Sequence, residues 1–267
     1  MSDTARSGST SSTSRPGAQR LQPPNRRIRI GRGLFWAAAA LAVVFASAYA
    51  GWRLLAAGDF GYGAAYALLD INATIERYGP ENAQRPGFHT TGYPQRAYIF
   101  GEIAQAVRAE GEGLESIRYR LPSGREFPVL TAPEVQHLRD VAGLVGTFER
   151  VGTIAFALTI GLFALAGYRR WRMPSTRRFA LALTAAATGG ALSVFVIGPV
   201  RTFYWLHERL FPPDHEWFFW YEESLMSMLM QAPNLFGFIA VAWLTLTLAI
   251  ACGAWAGVAR VLGRRAA

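Results

Sequence analysis

Four apolar stretches dictate the architecture of this chain: Leu34 to Ala57, Val151 to Tyr168, Phe179 to Val200 and Leu235 to Val258. A bilayer core of about 30 Å takes roughly 20 apolar residues in helical form, because each backbone amide in hydrocarbon must find its partner within its own segment. The last three stretches carry no charge, and the first is interrupted only by Arg53 near its end, where a long side chain can reach the interface. With 51% hydrophobic and 17% charged residues, the chain is too apolar for an ordinary soluble domain. The expected fold class is an α-helical integral membrane protein, with four transmembrane helices and a small mixed α+β extracytoplasmic domain between helices 1 and 2.

Arginine placement sets the expected orientation, since positively charged loops stay cytoplasmic. Segments 1–32, 169–178 and 259–267 hold 15 of the 27 basic residues against a single acid, Asp3. The sequence therefore predicts a bacterial cytoplasmic (inner) membrane protein with both termini cytoplasmic, and with the regions after the first and third spans outside. The expected order is a disordered cytoplasmic tail (1–32), first span (33–57), extracytoplasmic domain (58–147), second span (148–168), cytoplasmic loop (169–178), third span (179–200), extracytoplasmic loop (201–233), fourth span (234–258) and cytoplasmic tail (259–267). Small residues at Ala46-Ser47-Ala48 also fit a cleavage site, but the apolar run continues to Ala57, which favours an anchor.

A net charge of +9 would elsewhere suggest nucleic acid; here topology explains it, and no basic stripe marks a folded domain, so no nucleic-acid partner is expected. Cys252 is the single cysteine and lies inside the fourth span, leaving no disulfide framework or thiolate metal site. The chain contains no lysine, which removes phosphate-loop and Schiff-base chemistry. The spans have no ionisable residue at their centres, which disfavours an ion path, and Gly189-Gly190 is read as a point of close helix packing.

Between the first two spans, Ala64 to Arg77 and Ala97 to Arg108 have helical periodicity and flank a Pro-rich connector, residues 79–94. Ser116 to Leu121 and Arg125 to Leu130 alternate about a Pro-Ser-Gly turn, which predicts a hairpin. Thr131 with Glu134 three residues later predicts a capping box, with Pro133 tolerated in the first turn. On the helix that follows, HLRDV sets His137 and Asp140 three residues apart on one face, where an acid can orient an imidazole; the plain alternative is an incidental pair on a solvated helix.

The segment RTFYWLHERLFPPDHEWFFWYEESLMSMLMQAP, residues 201–233, is dense in aromatic rings and polar groups. Its Trp and Tyr residues suit the headgroup region, and Ser224 to Pro233 is apolar but too short to span, so it is expected to dip into the interface or pack on other helices. His207 falls at the end of the third span, on the same membrane face as His137. Two imidazoles flanked by carboxylates can form an acid–base pair or, with Asp214, His215 and Glu216, a metal site, although no spacing matches a zinc motif. No G-x-S-x-G occurs to support a serine hydrolase.

A ninety-residue region ending in HLRDV, two further spans, then YWLHERLFPPDHEWFF before the last span resembles the lipoprotein intramolecular transacylase family. That family carries H-M-x-D-V before the second span and H-x-x-x-F-F after the third, each with an essential histidine. The matching positions are His137 with Asp140, and His207 with Phe211; Glu223-Ser224-Leu225 with Pro233 departs from the family's acid element. His89 and His215 match nothing in it and are read as loop histidines.

The resemblance implies a membrane acyltransferase that moves the sn-2 acyl chain of a diacylglyceryl-cysteine lipoprotein to the cysteine's own α-amine, giving the lyso form. It implies no cofactor and no metal, and partners that are diacylglyceryl-modified lipoproteins and membrane lipid. His137, oriented by Asp140, is then the expected base and His207 the acid, with the roles exchangeable. Arg139, or alternatively Arg201 or Arg209, is the candidate for steadying the oxyanion. Phe211, Trp217 and Phe218 are expected to hold substrate and exclude water. Two other readings stay open: a non-catalytic membrane protein with a partner-binding outer domain, and a metal-dependent membrane hydrolase.

Overall fold

The computed structural model describes residues 26–264; the expected tail over 1–25 and the last three residues lie outside them. By their contacts the residues divide into a unit ending at Phe35 and one from Trp36 onward. Of the first, residues 26–35 are the opening turns of helix α1 (Arg26–Ala57), so the tail expected to reach residue 32 is helical from Arg26.

Among the described residues, four helices are long and apolar enough to cross a membrane: α1 from Ile30, α5 (Ala132–Tyr168), α6 (Thr176–Ile197) and α9 (Asn234–Arg264). The expected cytoplasmic tail from residue 259 is thus a continuation of α9 through Arg264. The expected third span 179–200 stops at Ile197, because Pro199 has no N–H to continue the ladder and Gly198 takes φ 99° to start a new helix, α7 (Pro199–Leu210). The spans hold together through aromatic and small-residue contacts. Trp243 donates its indole N–H to the Ala48 carbonyl at 2.7 Å, and the Trp255 ring stacks on Phe179 with centroids 4.2 Å apart. Close packing occurs at Gly152 on α5, where an added Cβ would lie 2.5 Å from Tyr49; Gly189 and Gly190 face open space, which corrects the packing role expected of them.

The region between α1 and α5 is mainly helical, and the expected α+β mix reduces to one small hairpin. It contains α2 (Tyr62–Leu68), α3 (Ile71–Tyr78), α4 (Tyr93–Arg108), several short 3₁₀ turns, and strands β1 (Arg118–Arg120) and β2 (Glu126–Pro128), antiparallel with Tyr119 opposite Phe127. The helix expected over 64–77 breaks at Asp70, which adopts φ 50° and accepts the Ala73 N–H to cap α3. A shared core buries Tyr62, Ile71, Ile75, Phe88, Ile99 and Leu114, with Tyr62 stacked on Phe100 at 3.9 Å. Each such side chain contributes about 1.5–3 kcal/mol of burial. Arg96 is buried beside this core without a carboxylate; its guanidinium donates to Asn72, Tyr66, Thr91 and the His89 carbonyl.

Helix α8 (Leu225–Met230) does not lie free at an interface. Leu225, Met226, Met228 and Leu229 are buried in the same core, against α3. Two polar ties fix it: Tyr62 donates to the Leu229 carbonyl at 3.0 Å, and Gln231 donates to Thr74 at 2.7 Å. A third joins it to α5. Glu134, buried, accepts the Thr131 N–H at 2.6 Å as the capping box predicts, and its other oxygen accepts from the Ser224 hydroxyl that caps α8.

Candidate active site

Helix α5 runs 37 residues, about 55 Å at 1.5 Å per residue, nearly twice the thickness of a bilayer core. That exceeds one crossing by several turns, and His137 falls in the polar opening turns, which also carry Glu134, Arg139 and Asp140, with 7% exposure. The short connection between α5 and α6 makes these helices antiparallel, so the start of α5 and the end of α6 share one end of the molecule. Helix α7 continues from α6 at that end and carries His207.

The two imidazoles meet, with ring centroids 6.0 Å apart and planes inclined by 28°. Phe211 lies against both, 4.8 Å from His137 and 5.1 Å from His207. Phe219 closes the His137 side at 6.1 Å, while Phe203 at 3.9 Å and Trp217 at 5.0 Å enclose His207. Phe203 is four residues before His207 and shares its helix face, a spacing readable in the sequence; Phe219 has no such signal.

The protonation pattern follows from the partners. The His207 Nδ1 lies 2.8 Å from the Phe203 carbonyl oxygen, which can only accept, so Nδ1 carries the proton and Nε2 presents its lone pair. The buried Nδ1 of His137 has no hydrogen-bond partner among the described residues. Burial pushes His137 down to about 4, the adjacent His207 adds to the effect, and Asp140 opposes it. Burial also lowers His207, partly offset by its bond to the Phe203 carbonyl. Both rings are thus neutral at pH 7, one with a lone pair free to take a proton.

Asp140 is not the orienting partner of His137. Its Oδ2 accepts from His215 Nδ1 at 2.7 Å and its Oδ1 from Gln136 at 3.2 Å, leaving only a through-space influence on His137. His215, read as a loop histidine, is instead tied to α5. Arg139 pairs with Glu115 on the exposed face of α5 and does not join the imidazoles. Phe218 packs on Tyr204, Trp217 and Trp220, one layer behind Trp217. Among the described residues no three His, Cys, Asp or Glu side chains gather as a metal-ligand group.

Four long apolar helices and a pair of neighbouring imidazoles, one buried and one half-buried in an aromatic enclosure, define a multi-pass membrane protein with a candidate acid–base site. The chain is similar to the solved structure of the membrane integral lipoprotein intramolecular transacylase Lit from Bacillus cereus, with a TM-score of 0.63 over 90% of this chain and 97% of that one, at 13% identity. The likeness is one of fold, and at that level the resemblance carried by HLRDV and YWLHERLF holds. No family model and no curated protein matches the sequence.

Proposed function

We propose that this protein is a membrane acyltransferase that moves the sn-2 acyl chain of a diacylglyceryl-cysteine lipoprotein to that cysteine's own α-amine, at the extracytoplasmic face of the bacterial inner membrane. The observation that carries this reading is the His137–His207 pair, one ring buried and one half-buried, both neutral in a wall of aromatic rings.

Ester and amine belong to one molecule, so the enzyme needs no external acyl donor and gains from proximity alone. An α-ammonium titrates near 7.7–8.0, so it first loses one proton, which leaves for solvent. The amine nitrogen then attacks the sn-2 carbonyl carbon. As the C–N bond forms, one imidazole removes the second nitrogen proton and becomes imidazolium; as the bond to the glycerol oxygen breaks, that same proton is handed to the oxygen, which returns the ring to neutral while the other imidazole holds the reacting groups. His207, with its Nε2 lone pair exposed by the Phe203 bond, is the better-prepared acceptor. His137, whose Nδ1 is unpartnered, is the ring with a nitrogen free to bind the reacting groups. Of the two exchangeable assignments expected from sequence, this reading takes His207 as the base. Phe211, Trp217 and Phe219 hold the acyl chain and keep out water, the competing nucleophile.

Coexpression with a lipoprotein, followed by mass spectrometry of its N-terminal peptide, tests the reading. Wild type gives an N-acyl, S-monoacylglyceryl cysteine, and His207→Asn or His137→Asn lowers its yield by about 10²–10⁴-fold in protein that still inserts. An unmodified diacylglyceryl cysteine with wild type present rejects it.

A further inference from the structure

Between Leu210 and Leu225 the chain forms neither helix nor strand, yet this stretch supplies Phe211, Trp217 and Phe219 to the imidazoles. Irregular backbone of that length keeps ring positions only where something anchors it. One end is held as the cap of α7, through the Phe211 N–H on the His207 carbonyl at 3.1 Å. The other is held by Ser227, which donates to the Phe219 carbonyl at 3.0 Å, and by the Ser224–Glu134 bond. From Pro213 to Phe218, among the described residues, the hydrogen bond joining this stretch to another element is His215 to Asp140.

Its geometry is that of a latch. The His215 N–H closes a tight turn onto the Pro212 carbonyl at 3.1 Å, which directs the ring toward α5. The ring's Nδ1 donates to Asp140 Oδ2 at 2.7 Å, with the two side chains 30% and 18% exposed. Gln136, one turn earlier on α5, steadies the other carboxylate oxygen at 3.2 Å. Asp140 is one turn beyond His137, so the latch fixes the aromatic segment to the same helix that carries a reacting ring.

We infer that His215 is a positioning residue: through its bond to Asp140 it holds segment 211–219 over His137 and His207, keeping Phe211 and Trp217 in place and water out. The geometry is independent of the reaction, while the catalytic consequence rests on the transacylase reading. Releasing the latch admits water, whose oxygen attacks the sn-2 ester carbonyl. The bond to the glycerol oxygen breaks, that oxygen takes a water proton, and the products are a free fatty acid and a monoacylglyceryl cysteine with an unacylated amine.

The test compares wild type, His215→Phe, which keeps a ring but loses the donor, and His215→Asn, whose amide N–H replaces Nδ1–H. In full-length protein in micelles, hydrogen–deuterium exchange over 211–219 rises about tenfold in H215F, while residues 71–78 and 225–230 keep their protection, and H215N stays near wild type. With a synthetic diacylglyceryl peptide, H215F raises the ratio of hydrolysis to transacylation about tenfold, and H215N restores it. Unchanged exchange in H215F overturns the latch, and so does a rise spread equally over residues 71–78 and 225–230. Raised exchange with an unchanged product ratio overturns its service to the site. A wild type that forms no N-acyl product rejects the transacylase reading alone, since the exchange measurement still decides the latch.

Discussion

Lowering the pH from 7.5 to 5 destabilises the wild-type protein by about 2 kcal/mol more than it destabilises His137→Leu. His137 titrates near 4 in the folded protein against 6.5 when exposed, because a charged ring cannot be hydrated between Phe211 and Phe219. Between those values the unfolded chain binds the extra proton. This contribution to stability is therefore complete above about pH 6.5 and is lost as pH falls toward 4. The whole gap corresponds to about 3 kcal/mol; at pH 5, where the folded ring is still mostly neutral, about 2 kcal/mol has gone. With the side chain 7% exposed, solvent screening removes little of this. His207, lowered in the same direction, is present in both proteins and cancels. Denaturant unfolding in micelles, followed by tryptophan fluorescence at pH 7.5, 6 and 5, gives the comparison. Parallel stability profiles for wild type and H137L would refute the claim that His137 is buried neutral.

Six further substitutions probe the scaffold. Gly152→Val drives side-chain atoms into Tyr49 and costs about 1–3 kcal/mol in the same unfolding assay, whereas Gly189→Val, in open space, costs little. Glu134→Ala removes the α5 cap and strands the Ser224 hydroxyl, for about 2–3 kcal/mol, with Ser224→Ala costing about 1 kcal/mol. Arg96→Met leaves the His89 carbonyl without its donor and Asn72 with only that of Tyr66, and destabilises by about 2–4 kcal/mol; Arg96→Lys recovers only part of it because an ammonium cannot reproduce the guanidinium fork.

What the sequence displayed and what it hid divide along contact distance. The four apolar runs, the Thr131–Glu134 cap and the 118–128 hairpin are local patterns, visible because hydropathy, capping and turn chemistry act within a few residues. The spacing in HLRDV places Asp140 beside His137, but a carboxylate bonds the donor that folding brings to it, and that donor is 75 residues away. Similarly Arg139 was an attractive oxyanion partner by position, yet Glu115 competes for it on the helix's outer face. For the apolar run 225–230 composition leaves open an interfacial position or packing on other helices; the structure takes the second, with α3 and Tyr62 covering it. His137 and His207 were legible as candidates from their shared membrane face, and the resemblance sharpened the choice; their mutual approach is a product of topology.

The unbroken length of α5 links bilayer thickness to the spacing of the reacting groups. His137 lies about 30 Å along the rod from the middle of its apolar half, so a tilt of 5° about that midpoint swings the ring sideways by about 3 Å. His207 rides on a different helix, set off from its own span by the Gly198 break, and does not follow that swing. A thinner or thicker lipid matrix thereby becomes a lever on the spacing of the two imidazoles, acting from the hydrocarbon rather than from any bound effector.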